Sequence, residues 1–224
     1  MEIEIATSEA ARRLGVSSER VGQMLRSGEL RGRQLDDRNT WLVSLASVQD
    51  RARVDVGRGR PWADHTVVSV IAALSDGSQV DAKTHQRLRN TSVEQLWRKI
   101  AQAVTVRRYR TRNTEIARPH LALTGESAID RIGEKLVGES RVLHGYLREI
   151  DLEDLIDDAG LVEDGDGNLA IHELRASEPK WAHGSHAPRA LIAVDCAREP
   201  STRVRSAGLR ALEDMRMHWL GQNT

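Results

Sequence analysis

Two short amphipathic helices separated by a glycine turn are predicted near the N terminus, and this feature most constrains the fold. Their apolar residues recur at helical spacing, in the first segment as Ala10, Ala11 and Leu14 and in the second as Val21, Met24 and Leu25. Thr7 or Ser8 is suited to cap the first helix and Ser17 the second, while Gly15 ends the first. Two helices joined by such a turn form a helix-turn-helix arrangement.

A hairpin and a third helix are predicted to follow. Gly28 stands where a left-handed cap is needed at the end of the second helix. Residues 30–35 and 40–43 are predicted strands on either side of the polar turn 36–39, and Ser44 is suited to cap the next helix. Residues 1–55 are therefore predicted to form one small winged helix-turn-helix domain, the hairpin being the wing.

Several elements of this segment recur in a known family. They are Thr7-x-Glu9-Ala10-Ala11, Leu14-Gly15-Val16-Ser17, Val21, Leu25, Ser27-Gly28-Glu29-Leu30 and Trp41 followed by an aliphatic residue. With them the segment resembles the excisionase branch of the MerR-like winged helix-turn-helix domains, which implies binding to double-stranded DNA. The wing departs from that family, because Asp36 and Asp37 stand where a short glycine-rich turn is frequent. Two acids at the tip weaken the expectation that the wing contacts phosphate.

The resemblance implies a set of DNA-contacting residues, because in such domains the second helix enters the major groove. Arg20 is suited to guanine and Gln23 to adenine. Phosphate contacts are expected from Ser17, Ser18 and Arg26, and contacts with the adjacent groove from Arg31, Arg33 and Arg38. The alternative is that these side chains form the solvated polar face of a small helical domain.

A linker and a second, larger domain are predicted beyond this segment. Residues 54–61 (VDVGRGRP) are rich in glycine and arginine and have no periodicity, so the linker is placed at 56–62. The remainder, 63–224, divides into a basic helical part, 63–118, and an acidic part with strands and helices, 119–224. The predicted fold class is α+β, with the winged helix-turn-helix followed by a helical and α+β C-terminal domain.

Local signals in the second domain give four detailed predictions. Asp64 is a candidate cap for a helix running to Leu74, and Thr91-x-x-Glu94 is a candidate capping box for the next long helix. Val106–Arg110 is predicted to be an edge strand. Residues 161–162 and 169–174 are predicted to pair as a hairpin across the turn 164–168.

Charge is unevenly distributed along a chain whose formal net charge is zero. Lys83 to Arg118 contains ten basic and two acidic residues, whereas Glu126 to Glu173 contains four basic and fourteen acidic residues. The basic segment is a candidate second surface for DNA or an acidic partner, formed by Arg98, Lys99, Arg107, Arg108, Arg110 and Arg112. The alternative is a solvated basic face.

Three apparent sites fail on spacing. Residues 164–168 begin like a calcium loop, but Leu169 stands where glycine is required, so a turn is predicted. His172, His183 and His186 lack a fourth metal ligand at a customary spacing. Asp166 with Glu178 and Lys180 faintly resembles a nuclease set that Pro179 disrupts. We therefore expect no catalytic residues, metal or cofactor.

We expect neither a signal peptide nor a membrane span from this sequence. No apolar stretch has the length of a transmembrane helix and the first ten residues have no basic region typical of a signal peptide. Cys196 is the sole cysteine, which excludes an intrachain disulfide. The expected location is the cytoplasm, without membrane contact.

A second, more diffuse resemblance extends over nearly the whole chain. Its segments include VTVRRYR, HLALTGESA, VLHGYLRE, LEDLIDDAGLVEDGDGNLAIHEL and APRALIAVDCAREPSTRVRSAGLRAL. Together they resemble the antitoxin of AbiE-type toxin-antitoxin pairs. This implies an autorepressor that neutralises a nucleotidyltransferase-like toxin, without fixing any functional residue. Because a winged domain of this size buries too little surface to be selective alone, we expect a homodimer to bind a promoter inverted repeat. The alternatives are a plain transcription factor, an excisionase-like architectural protein and, third, a nuclease.

Overall fold

The computed structural model describes residues 3–27, 29–35, 40–54, 61–135, 141–148, 150–175 and 184–223. The fold is α+β, as the sequence predicted, with one three-stranded and one five-stranded sheet in these ranges. The N-terminal part contains β1 (Glu4–Ala6), α1 (Thr7–Leu14), α2 (Ser18–Arg26), β2 (Gly32–Gln34), β3 (Trp41–Ser44) and α3 (Leu45–Val54).

Local capping explains where α1 and α2 end and begin. Gly15 adopts φ +66°, the left-handed conformation that favours glycine, and ends α1. The Ser17 hydroxyl accepts a hydrogen bond from the Arg20 amide at 3.2 Å, which confirms its predicted cap of α2. The cap of α1 was predicted wrongly, because Ala6 precedes the helix. Thr7 is already helical, and its hydroxyl donates to the carbonyl of Trp41. Gly28 lies outside the described residues.

The three-stranded sheet holds α1, α2 and α3 together. Strand β3 lies between β1 and β2 and is antiparallel to both; β1 was not predicted. Ser44 caps α3 as predicted, since its hydroxyl accepts from the Ser47 amide at 3.2 Å. The apolar faces of α1 and α2 close over this sheet and form a small core from Ala10, Val21, Met24, Leu25, Leu30, Val43 and Val48.

The larger C-terminal part begins with three helices and continues with alternating strands and helices. Its elements are α4 (Asp64–Asp76), α5 (Ala82–Asn90), α6 (Val93–Ala101), β4 (Val104–Arg110), α7 (Thr114–Ala117), β5 (Leu121–Leu123), β6 (Leu143–Leu147), α8 (Leu152–Ala159), β7 (Val162–Glu163), β8 (Leu169–Leu174), α9 (Arg189–Arg198) and α10 (Thr202–Gln222). Two 3₁₀ segments, Arg118–His120 and Gly125–Ile132, flank β5.

The five-stranded sheet has the order β5-β6-β8-β4-β7, and this corrects two predictions. The strands β7 and β8 do not form a hairpin; they pair with opposite edges of β4. The prediction that Val106–Arg110 is an edge strand is therefore wrong at Tyr109 and Arg110, because β7 pairs with β4 there. The turn between β7 and β8 passes the end of β4, where the Asn168 side chain exchanges two hydrogen bonds with the backbone of Thr111.

Two cap predictions in this part were also wrong by one residue. Ser92 rather than Thr91 caps α6. Thr91 still belongs to the end of α5, because its backbone N–H donates a hydrogen bond to the Arg87 carbonyl. Asp64 is the first helical residue of α4, which Ala63 precedes. Its carboxylate lies 3.3 Å from the Arg175 guanidinium instead of serving as a cap.

Strand alternation divides the side chains of the five-stranded sheet between two cores. Val104, Tyr146 and Leu174 lie on the face covered by α4, α6, α9 and α10. Leu143, Leu169 and Ile171 lie on the opposite face, under α8. Helix α9 is buried on all sides, and α10 packs along it. In the described ranges no helix combines the length and the apolar character needed to cross a bilayer.

The N-terminal part is in contact with the C-terminal part. Val54, the last residue of α3, is 2% exposed and belongs to the large core. Ion pairs between described residues join the parts, among them Arg31 to Glu163 at 2.9 Å and Arg198 to Asp50 at 3.6 Å. Residues 56–60 of the predicted linker lie outside the described ranges, so the boundary at 56–62 stays a prediction.

Candidate nucleic-acid interface and polar cleft

Helix α2 presents a continuous polar face. Its apolar residues point into the small core, which leaves the opposite face exposed, with Ser17, Ser18, Glu19, Arg20, Gln23 and Arg26 on it. The predicted phosphate and base contacts on this helix therefore share one accessible surface.

Arg20 and Gln23 are neighbours on this face. The Arg20 guanidinium donates to the Gln23 side-chain oxygen at 3.2 Å, and another of its nitrogens lies 3.7 Å from the Glu29 carboxylate. Glu29 is also paired with Arg51 at 3.0 Å. Because exposed contacts of this kind are weak, both side chains can exchange them for contacts with a base edge.

The three predicted groove-flanking arginines have different surroundings. Arg33, on β2, is exposed and makes a bidentate pair with Glu4. The Arg31 side chain is only 14% exposed and pairs with Glu163, which it would have to leave to reach DNA. Arg38 lies outside the described residues, as do the acidic wing residues Asp36 and Asp37.

The basic residues 98–112 do not form one uniform surface. Arg98 stacks over Trp97 with 5.7 Å between its guanidinium carbon and the ring centre, and Lys99 is half-buried beside it on α6. Arg107 lies 3.8 Å from Glu173, and Arg110 lies 2.6 Å from Asp164. Arg112 is exposed.

The basic and acidic segments thus meet on neighbouring strands. The two ion pairs join β4 to β8 and to the residue after β7, so part of the opposite charge seen along the sequence cancels within the sheet. Arg107 and Arg108 both line a cleft between the N-terminal part and the sheet, and Arg108 lies on the face of β4 that also carries Val104 and Val106.

That cleft has a volume of about 410 Å³. Its walls come from the segment after α2, from α3, from β4 and from the C-terminal end of α9. His144 and His172 lie at its floor, together with Arg198 and Glu199. The floor is therefore unusually polar for a position between two packed parts of a protein.

A chain of buried polar side chains runs from this floor into the core. The Asp195 carboxylate accepts from the hydroxyls of Thr124 at 2.7 Å and Tyr146 at 3.0 Å. Nδ1 of His172 lies 3.2 Å from its other oxygen. Nε2 of His172 is 3.2 Å from Nδ1 of His144, which is 3.8 Å from Glu199.

Burial sets the ionisation of this chain. Burial and the charges of His172 and Arg108 lower the pKa of His144 to about 3. Burial alone would raise the pKa of Asp195, but the net shift is downward because His172 and Arg198 face the carboxylate and Thr124 donates to it. Burial also raises the pKa of Glu199. At neutral pH His144 is neutral and Asp195 is ionised.

These shifts give an expected pH dependence of stability. The pKa of His144 is about 3 in the folded chain and near 6.5 unfolded, so its contribution to stability is complete above pH 6.5 and is lost as the pH falls toward 3. At pH 5 the loss is about 2 kcal/mol. Urea unfolding of His144→Asn at pH 7 and pH 5 measures it, since the variant lacks this part of the pH dependence.

The matched control is His65→Asn, which removes an exposed histidine on α4. Its unfolding free energy should change with pH as that of the original chain does. An equal pH dependence in the original chain and His144→Asn would contradict a neutral, buried His144.

Sequence reasoning missed this chain of residues. His144 and His172 sit in ordinary alternating strands, and Asp195 is separated from Tyr146 by 49 positions. One signal was available: Asp195 is a single acid in the apolar run ALIAVDCA, where burial on every side requires partners for its charge.

The discarded calcium loop is a turn, as predicted. Asp164 accepts from the Asp166 amide at 2.9 Å and pairs with Arg110, so its oxygens serve the turn. Within the described residues no group of three or more histidine, cysteine, aspartate or glutamate side chains is placed to hold a metal ion. His183, Glu178 and Lys180 lie outside those residues.

Comparison with protein-family models, with curated proteins and with solved structures finds no match for this chain.

Proposed function

We propose that the chain is a sequence-specific DNA-binding regulator whose N-terminal part is a winged helix-turn-helix and whose α2 enters the major groove. One observation carries the proposal: the face of α2 that bears Arg20 and Gln23 is exposed, while its other face closes the small core. A helix presented in this way can enter a groove without disturbing its own packing.

Further features support the same proposal. The tight turn at Gly15 and the Ser17 cap fix α2 relative to α1, so the exposed residues are held on rigid backbone. Ser17 and Ser18 lie at the N-terminal end of α2, where the helix dipole favours an anion such as phosphate. Strands β2 and β3, which follow this helix in the chain, pair antiparallel, as the two strands of a wing would.

Site-specific photocrosslinking tests the placement of α2. A photoreactive amino acid at position 23 should crosslink to DNA from upstream of the chain's own gene, because that position faces the groove. The matched control is position 217 on α10, where Met217 is 56% exposed and no crosslink is expected. Position 18 provides a second site on α2. Equal crosslinking from α2 and α10, or none from either α2 position, would exclude this docking.

We further propose, on the resemblance to AbiE-type antitoxins alone, that the chain represses its own operon and neutralises a nucleotidyltransferase-like toxin. The exposed face of α8 is the candidate contact surface, because a basic partner would be attracted to it. Its carboxylates are Glu153, Asp154, Asp157 and Asp158. A toxin gene adjacent to this one is required by the proposal.

Charge reversal separates the two roles. Changing Asp154, Asp157 and Asp158 to Lys should impair rescue of growth from the co-expressed toxin and spare repression of a promoter reporter, because α8 belongs to the C-terminal part. The control is Arg20→Ala, for which repression should fail and rescue should persist. The reverse pattern in the α8 variant would contradict the assignment.

A further inference from the structure

The polar cleft and its arginines have no role in the proposed function. The cleft lies between α3 and the sheet, on the side of the five-stranded sheet that faces α9, and its arginines outnumber its acids. Several of these arginines already have carboxylate partners, as Arg107 has Glu173 and Arg175 has Asp64. The groups available to a ligand therefore lie at the floor of the cleft.

Arg108 is the first of these groups. It lies on β4 in register with Ala170, on the same face as His172 and one strand pair from His144. Its side chain is half-buried and lines the cleft. No hydrogen bond or ion pair within 4 Å joins its guanidinium to another side chain among the described residues. This register and its place in the cleft lining put Arg108 near the floor, where its charge also lowers the pKa of His144.

Unsatisfied buried atoms around the same floor are the second observation. Arg198 is 5% exposed, and its Nη2 donates to the carbonyls of Ala101 and Val104. Among the described residues its Nη1 lacks a hydrogen-bond partner, and its Nε has only the Asp50 carboxylate at 3.6 Å, too far for a hydrogen bond. The side-chain oxygen of Gln102 also lacks one among the described residues. Both residues line the cleft. Buried polar groups are almost always hydrogen-bonded, so this concentration indicates that a ligand completes the site.

We propose that the cleft binds a small phosphorylated molecule, with its phosphate between Arg108 and Arg198 at the floor. A phosphate supplies the several acceptor oxygens that two guanidinium groups require. The unsatisfied Gln102 oxygen calls for a donor on the rest of the ligand, which a sugar hydroxyl or a base amino group provides. The cleft volume of about 410 Å³ falls in the range of small-molecule sites.

Two alternatives fit the geometry less well. A backbone phosphate of duplex DNA cannot reach Arg198, whose side chain is 6% exposed at the base of the cleft. A metal ion is disfavoured by the two arginine charges beside the histidines. The site is independent of DNA binding by α2, so either proposal can fail alone.

Calorimetric titration of the full chain with inorganic phosphate, adenosine monophosphate and adenosine tests the proposal. Phosphate and the monophosphate should bind, and adenosine should not. Arg108→Met should weaken binding by at least about 10-fold, since it removes a charge-assisted hydrogen bond. The matched control is Arg112→Met, at an exposed arginine outside the cleft, which should bind as the original chain does.

Each outcome bears on the proposal. Tighter binding of the monophosphate than of phosphate identifies a nucleotide-type ligand, and equal binding identifies free phosphate; both support the site. Arg108→Lys is the second variant if Arg108→Met does not fold. It keeps the positive charge but loses the paired N–H donors of the guanidinium, so it should also bind phosphate more weakly. Absence of binding by both phosphates, or equal loss in the Arg112 control, would overturn the proposal. Binding only by a short DNA duplex would overturn it as well.

Discussion

Gly208→Ala is expected to lower the free energy of unfolding by about 2 to 3 kcal/mol, a large effect for the addition of one methyl group. Gly208 lies where α10 crosses α9, and α9 is buried on all sides. A Cβ at this position would lie 2.6 Å from the backbone nitrogen of Ala197 and 2.8 Å from Cβ of Cys196. Backbone cannot rotate away as a flexible side chain can, so the two helices must separate.

Gly221→Ala on the same helix is the matched control. A Cβ at Gly221 meets no atom within 4 Å, so the substitution should be neutral or stabilise by up to about 1 kcal/mol, as alanine does in helices. Thermal unfolding distinguishes the two, with the midpoint for Gly208→Ala lower by roughly 4 to 12 °C. Similar midpoints for both variants would show that α9 and α10 are not closely packed at Gly208.

Local features of the fold were predictable because short-range interactions decide them. The left-handed Gly15 and the serine caps of α2 and α3 depend on residues within three positions of one another. The errors at Thr91 and Asp64 are of one residue: Thr91 still closes α5, and the Asp64 carboxylate faces Arg175, a partner 111 positions away that no local signal indicates.

The order of the sheet was not predictable from these signals. A turn such as 164–168 normally joins two strands that pair with each other. Here β4, which lies more than 50 positions earlier in the chain, stands between β7 and β8 and pairs with both. The buried chain from Asp195 to His144 follows from this order. Its residues come from β6, β8 and α9, and alternation within any one strand does not indicate that they meet.

Arg20→Ala and Gln23→Ala should each weaken binding to the cognate promoter by about 1 to 3 kcal/mol, because each loses contacts with a base edge. Since the two side chains are 3.2 Å apart in the free chain, the double variant should lose less than the sum of the two. Binding to unrelated DNA should change little, because phosphate contacts sustain it.

The most direct test is the affinity of the purified chain for its own promoter and for a scrambled duplex, measured by fluorescence anisotropy at one fixed salt concentration. The control variant is Arg13→Ala, at an exposed arginine on α1 whose partner is Glu9, and it should bind as the original chain does. We expect the Arg20 and Gln23 variants to lose preference for the promoter while keeping affinity for the scrambled duplex. Unchanged promoter preference in the double variant would contradict recognition by α2.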